Sequence, residues 1–288
     1  DAHYQTARRI ADEGIVLLQN KGGVLPLDLS RRPTVLVVGE NAIKMMTVGG
    51  GSSSLKAQRE ISPLDGLKAR LKDVATVEYE RGYVGDTTGA YNGVTTGQDL
   101  TDSRSRQQLI ADAVAKARKA NYVIIVGGLN KSDYQDCEGH DRKDYGLPYG
   151  QDELVEALAK VNRRVVFVNI SGNPVAMPWH DRVAAIVQGW YGGSESGEAL
   201  ADVLSGDVCP SGKLPFTWPV KLQDVGAHAL KTYPGTWRDG HKIIDETYSE
   251  GVYVGYRWTE AKHIRPLFAF GHGLGYTTFK LSDLRLSS

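Results

Sequence analysis

Only two cysteines, Cys137 and Cys209, occur in 288 residues, too few for a disulfide scaffold. They fix neither a pairing nor a compartment. Charge of either sign in excess is also missing: Lys plus Arg and Asp plus Glu stand at 34 each. Nothing therefore draws in nucleic acid, anionic lipid or a polyacidic ligand over long range, and a neutral small molecule suits this balance better. No apolar run is long enough to cross a bilayer, so no membrane partner is expected. The opening Asp1-Ala2-His3 runs directly into helical pattern without a secretion signal, and the chain is expected to begin inside a longer protein.

Several chemical motifs are absent as well. Seven histidines are present, and His140 lies near Asp136, Cys137 and Asp141, yet there is no paired C-x-x-C or H-E-x-x-H spacing. No metal and no cofactor are expected. His272, within Phe270-Gly271-His272-Gly273, reads as a hydrogen-bonded structural histidine. A G-x-S-x-G elbow is missing, which disfavours an esterase of the α/β-hydrolase type. The glycine-rich Gly49-Gly50-Gly51-Ser52-Ser53-Ser54 neither follows a strand as G-x-G-x-x-G nor ends in Gly-Lys-Ser/Thr, so a nucleotide-binding α/β domain is a weak rival. Its glycines permit close backbone approach to a ligand and its hydroxyls can hydrogen-bond one; a flexible linker is the alternative.

What is present is a 41% hydrophobic composition able to build a core, arranged in a repeating order. Ile10, Gly14, Ile15, Leu17 and Leu18 have roughly helical spacing and predict a lead-in helix ending at Asn20-Lys21-Gly22-Gly23. Short β-branched runs at 34–39, 75–79, 122–126, 165–170 and 184–188 predict strands. Helices are predicted over 63–71, 104–120, 151–161 and 197–204. Strands separated by helices of this length imply βαβ crossovers. The expected fold is α/β, a three-layer α/β/α sandwich with a mostly parallel, doubly wound sheet. Ligands sit beyond the carboxyl ends of such strands, which directs attention to the loops after Val38, Val126, Ile170 and Gln188. After about Pro219 the rhythm changes to turns, aromatics and glycines, and Gly85–Gly97 reads as an exposed loop. The expected divisions are 1–30 as helix and linker, 31–220 as sandwich, and 221–288 as a looped C-terminal extension on the same domain.

The sharpest chemical feature is Asp133-Tyr134-Gln135-Asp136-Cys137-Glu138-Gly139-His140-Asp141-Arg142, a crowd of carboxylates just past a predicted strand. A general acid must hold its proton near neutral pH, so apolar or acidic neighbours must raise its pKa. Glu138, flanked by acids and near an aromatic, is the natural candidate. A solvated acidic loop with Asp141 and Arg142 paired structurally fits the same residues.

In several stretches, taken in order, the chain resembles the C-terminal domain of glycoside hydrolase family 3, the β-glucosidase and β-xylosidase family. Ala11-Asp12-Glu13-Gly14-Ile15-Val16-Leu17-Leu18-Gln19-Asn20 with Leu25-Pro26-Leu27 is similar to the family's entry into this domain, and Gly49-Gly50-Gly51-Ser52 to its glycine-serine loop. Glu138-Gly139-His140-Asp141-Arg142 resembles the E-G-x-D-R segment whose glutamate is the acid/base, with Gly146-Leu147-Pro148 and Gln151 following. Trp190-Tyr191, Ala201 through Asp207, Pro210 through Pro215, Tyr248 through Arg257 and Tyr276-Thr277-Thr278-Phe279 extend the likeness along nearly the whole chain.

The resemblance implies the C-terminal half of a retaining β-glycosidase, most readily a β-glucosidase, releasing terminal non-reducing β-D-glycosyl residues. Glu138 would be the acid/base, Ser52, Ser53, Asp133 and Arg142 would contact substrate, and a preceding (β/α)8 barrel would supply the nucleophilic aspartate. The implied partners are that barrel and a β-linked gluco- or xylo-oligosaccharide. The chain alone is then expected to be inactive, and a periplasmic or extracellular location is the family expectation. Ser132-Asp133-Tyr134 superficially matches the nucleophile triplet, but Asp133 shares one loop with Glu138 and one loop does not easily reach both faces of a sugar ring. Gly192-Gly193-Ser194-Glu195-Ser196-Gly197 departs from the usual Pro-Gly-Gln-Glu-Gly-Gly and leaves Glu195 as a second carboxylate near the site, expected to be structural. Cys137 receives no role. The alternative is a non-catalytic carbohydrate-binding or scaffolding module.

Overall fold

A computed structural model of the chain describes residues 2–47, 55–85, 90–91, 94–95, 97–132, 134–240 and 243–287. Ser52 and Ser53, with the rest of the glycine-serine loop, lie outside the described residues, as do Asp133 and much of Gly85–Gly97. In chain order the first elements are α1 (Ala2–Gly14), β1 (Val16–Asn20), β2 (Thr34–Val38), α2 (Pro63–Leu71) and β3 (Thr76–Glu80). A short antiparallel pair, β4 (Ala90–Tyr91) and β5 (Val94–Thr95), precedes α3 (Arg106–Ala117). Then come β6 (Tyr122–Gly128), α4 (Gln151–Val161), β7 (Val165–Ile170), β8 (Ala185–Gln188) and α5 (Ser196–Ser205). The last part holds α6 (Gly226–Ala229), the hairpin strands β9 (Thr236–Arg238) and β10 (Ile243–Asp245), and α7 (Tyr256–Ala261).

Six strands form one sheet in the order β1-β8-β7-β6-β2-β3. Every neighbouring pair is parallel except β1 with β8. Alternation along each strand sorts its side chains to opposite faces. On β2, Val35 and Val37 join a core with Leu64, Leu67 and Leu71 of α2 and Leu200, Val203 and Leu204 of α5. Leu36 and Val38 instead face Ala113 and Ala117 of α3 and Leu154, Val155 and Leu158 of α4. Both faces are thus covered by helices, which is why β6 and β7 are buried along their whole length. The α/β fold with a mostly parallel sheet is as expected.

Local chemistry explains the boundaries. Ser62 precedes Pro63 and accepts from the Asp65 backbone N–H while its own hydroxyl donates to the Asp65 carboxylate, starting α2. Ser105 accepts from the Gln108 N–H and starts α3. Gly206, at φ 90°, ends α5 in the left-handed region.

One expectation fails. The helix stops at Gly14, and Val16–Asn20 form β1, paired antiparallel with β8. Ile15, Leu17 and Leu18 therefore belong to a buried edge strand and its lead-in, not to a helix face. Leu17 and Val16 point to the two opposite cores, which is a strand's period of two. The segment after Pro219 returns to the sandwich: Trp218 and Phe268 bridge, the Leu274 N–H donates to the Leu17 carbonyl, and Tyr276 Oη donates to the Val203 carbonyl at 2.8 Å.

Candidate active site

The parallel strands β6, β7 and β8 end on the same side of the sheet, and their following loops frame a cleft of about 530 Å³. Lys131, Asp136, Cys137 and Asp141 to Tyr145 come from the loop after β6, Gly172 and Asn173 from the loop after β7, and Tyr191 from the loop after β8. His228 and Tyr233 close the cleft from the C-terminal extension. A second hollow, lined by Tyr4, Met46, Leu55 and Arg59, shares Lys131 and Tyr191 as its wall.

The sequence forms the long loop after β6 by binding its two ends to each other. Gly128 closes β6 at φ 111°, where a side chain would strike the Ile170 carbonyl, so the chain can leave the sheet here only with glycine. The buried Gln151 side chain, at the far end of the loop, then pairs with both backbone groups of Gly128: its Oε1 accepts from the N–H at 2.8 Å and its Nε2 donates to the carbonyl at 2.8 Å. Between these ends, the Asn130 carbonyl accepts from the Asp136 N–H, Asn130 Oδ1 accepts from the Ser132 N–H, and Asn130 Nδ2 donates to Tyr149 Oη. These pairings satisfy polar groups that the loop draws out of water, as its stability requires.

Asp136 accepts three hydrogen bonds from the neighbouring loops. Its Oδ2 accepts from the Gly172 N–H at 2.7 Å and from Tyr191 Oη at 2.8 Å, and its Oδ1 accepts from Asn173 Nδ2. Burial raises the Tyr191 hydroxyl pKa well above its ordinary value, and the Asp136 charge adds to the effect. Lys131 Nζ sits 4.1 Å from the Tyr191 ring centre. Burial lowers its pKa, with the Asp136 charge opposing.

Arg142 donates from Nη2 to Asn173 Oδ1 at 2.5 Å and to the Pro174 carbonyl at 2.7 Å. Its Nη1 is shielded from solvent and finds no partner among the described residues. Burial lowers the guanidinium pKa, against which the Asp136 charge acts. Arg142 lines the cleft, as a substrate contact would, but part of its guanidinium fork is spent on the loop after β7. The sequence-based pairing of Asp141 with Arg142 does not form; Asp141 instead accepts from Tyr233 Oη of the extension.

Glu138 is exposed at the turn between Cys137 and Gly139. It does not itself line the cleft, although Cys137 and Asp141 on either side of it do. Around it, Tyr134 stacks on His140 with ring centres 5.2 Å apart, and Lys143 Nζ lies 4.1 Å from the Tyr134 ring. Neither Cys137 nor Cys209 is held in a disulfide, and Cys137 Sγ lies 3.4 Å from the Glu138 carbonyl.

Glu195 is 1% exposed and receives a two-pronged bond from Arg59, at 3.0 and 2.8 Å, so it is engaged in the ion pair that joins the loop after β8 to the segment after β2. His272 bonds through Nε2 to the Leu18 carbonyl at 2.7 Å and stacks on Phe268. Asn173, Tyr191 and Tyr233 do not stand out as site residues in the sequence. The one signal for Asn173 and Tyr191 is the rule that loops after strands 122–126, 165–170 and 184–188 meet over the sheet; Tyr233, in the extension, has none.

Residues 15–256 match the glycosyl hydrolase family 3 C-terminal domain. The chain is 49% identical to beta-glucosidase BoGH3A of Bacteroides ovatus, an alignment covering 100% of the chain and 38% of that protein. It is 36% identical to thermostable beta-glucosidase B of Acetivibrio thermocellus, covering 99% of the chain and 34% of that protein. Among solved structures, the beta-glucosidase of Kluyveromyces marxianus superposes with a TM-score of 0.85 at 26% identity, covering 100% of the chain and 48% of that one. The chain thus spans less than half the length of each of these relatives.

Proposed function

Because the chain belongs to glycoside hydrolase family 3, as its C-terminal domain, we propose that it supplies the general acid/base of a retaining β-glycosidase, with Glu138 in that role. The substrate class is a terminal non-reducing β-D-glucosyl residue, and the nucleophilic aspartate comes from a (β/α)8 barrel in a longer polypeptide. The reading is supported above all by one observation: the loop bearing Glu138 forms a wall of a sugar-sized cleft beyond the strand ends, with Glu138 exposed where a second domain can reach it. Exposed apolar side chains on the extension, among them Tyr248, Val252 and Val254 at 76%, 71% and 60%, fit a chain that is covered by further protein.

The chemistry then runs in two steps. The aspartate attacks the anomeric carbon while the Glu138 carboxyl gives its proton to the departing glycosidic oxygen. The resulting carboxylate takes a proton from water, which displaces the aspartate and restores the acid. Docking of the barrel over Glu138 would exclude water and so favour its protonated form. Arg142, with Ser52, Ser53 and Asp133, is assigned to contacts with the sugar, and the enzyme to the periplasm or exterior.

Replacing Glu138 with Gln in the full-length enzyme tests the role. kcat/KM for cellobiose should fall by about 10²–10⁴-fold. kcat/KM for 2,4-dinitrophenyl β-glucoside, whose leaving group needs no proton, should stay within about 3-fold. The position of Glu138 outside the cleft lining favours, as a second reading, a carbohydrate-binding or scaffolding module without catalysis; unchanged kcat/KM for both substrates would support that instead.

A further inference from the structure

Three donors converge on the Asp136 carboxylate: the Gly172 N–H, Tyr191 Oη and Asn173 Nδ2. An ionised carboxylate is a pure acceptor, so it satisfies all three, whereas an amide would turn an NH₂ toward at least one donor. Asn173 cannot relieve that conflict by flipping its own amide, because its Oδ1 already accepts from Arg142 Nη2 at 2.5 Å. The polarity of the chain Arg142 to Asn173 to Asp136 is therefore set at every link. The Pro174 carbonyl, also an acceptor for Arg142 Nη2, fixes the guanidinium from a second side.

This chain joins two points of one loop. Asp136 lies two residues before Glu138 and Arg142 four residues after it, and both are tied to the same residue, Asn173, in the loop three residues past the end of the buried strand β7. The Asp136 N–H adds a bond to the Asn130 carbonyl. In the turn between them Glu138 is exposed, while Asp141 also accepts from Tyr233 Oη and His140 stacks on Tyr134. A proton donor on an exposed turn keeps a productive geometry when supporting hydrogen bonds hold the feet of the turn.

We propose that Asn173, with Asp136 and Arg142, forms a brace that positions Glu138 for proton transfer. In the brace the three act as positioning residues, through the loop and not on the reacting atoms, whatever further contact Arg142 makes with the sugar. This inference rests on Glu138 being the acid/base. A misplacement of about 1 Å at a reacting group can cost about 10²-fold in rate, so a brace has measurable kinetic weight even where folding is unaffected.

The experiment uses the full-length enzyme with Asp136→Asn, which keeps shape but removes the charge and the pure-acceptor pattern, and with Asn173→Ala. The Glu138→Gln enzyme is run beside them. A loosened donor should lower kcat/KM for cellobiose by about 30-fold or more and leave kcat/KM for 2,4-dinitrophenyl β-glucoside within about 3-fold, as loss of proton transfer alone does. Equal losses on both substrates, from uniform sugar binding or from damage to the fold, overturn the brace, as does no loss on either. If Asn173→Ala does not fold, Asp136→Asn decides alone. Selectivity in Glu138→Gln without selectivity in the brace variants sinks the brace and spares the acid. Absence of selectivity in Glu138→Gln itself removes the acid and the brace together.

Discussion

At the scale of single residues, polar groups are placed by partners far away in the chain. Asp136 is bonded to Gly172, Asn173 and Tyr191, and Asp141 to Tyr233. The carboxylate crowd is legible in sequence as a crowd. Its partners are not, because an Asn, a Tyr and a backbone N–H tens of residues away carry no spacing signal of their own. Ser52, Ser53 and Asp133 lie outside the described residues, so Arg142 is the sequence-chosen substrate contact that the structure sets on the cleft wall.

Asp12 offers a test at the same scale. Its Oδ1 is buried without a partner among the described residues. Burial pushes its carboxyl up to about 6, the nearby Asp202 charge adds to this, and Arg8 opposes it. A raised acid means that the folded state holds the proton more tightly than the unfolded chain. The associated stability is full below about pH 4, where both states are protonated, and is lost as pH climbs through 6. Asp12→Asn mimics the protonated form. It should stabilise the chain by about 1 kcal/mol at pH 7.5, a figure reduced for the partial exposure of the site, and make little difference near pH 4. Urea titrations at both pH values measure this; a gain confined to pH 4 would contradict it.

At the scale of elements, helices and parallel strands are the legible part, since burial on both faces leaves β6 and β7 as unbroken apolar runs. Helices 63–71 and 151–161 have the expected bounds. β1 reads as helix in the sequence for a physical reason. It is a five-residue strand directly after a true helix, and in so short a window Ile15, Leu17 and Leu18 satisfy a helical period as well as a strand's. Only pairing with β8 decides, and pairing is not local. Where β6 becomes the loop of the candidate site, Gly128→Ala should cost about 2–4 kcal/mol, from a left-handed φ and a collision with the Ile170 carbonyl. Thermal unfolding checks it; a loss below about 0.5 kcal/mol would mean that the strand end is more yielding than its geometry indicates.

At the scale of the whole molecule, the sheet places the loops after β6, β7 and β8 on one side, and the extension reaches the same side through His228 and Tyr233. The chain covers 38% of the Bacteroides ovatus relative, and the proposed chemistry needs a second carboxylate from the remainder of such an enzyme. The central claim is that Glu138 gives and takes the proton. Its most direct measurement is the full-length Glu138→Ala enzyme acting on 2,4-dinitrophenyl β-glucoside with added sodium azide. Azide needs no general base, so it should replace water in the second step, raise kcat by about 10-fold or more and yield β-glucosyl azide, identifiable by NMR. If azide leaves kcat unchanged and the product is glucose alone, Glu138 is not the acid/base.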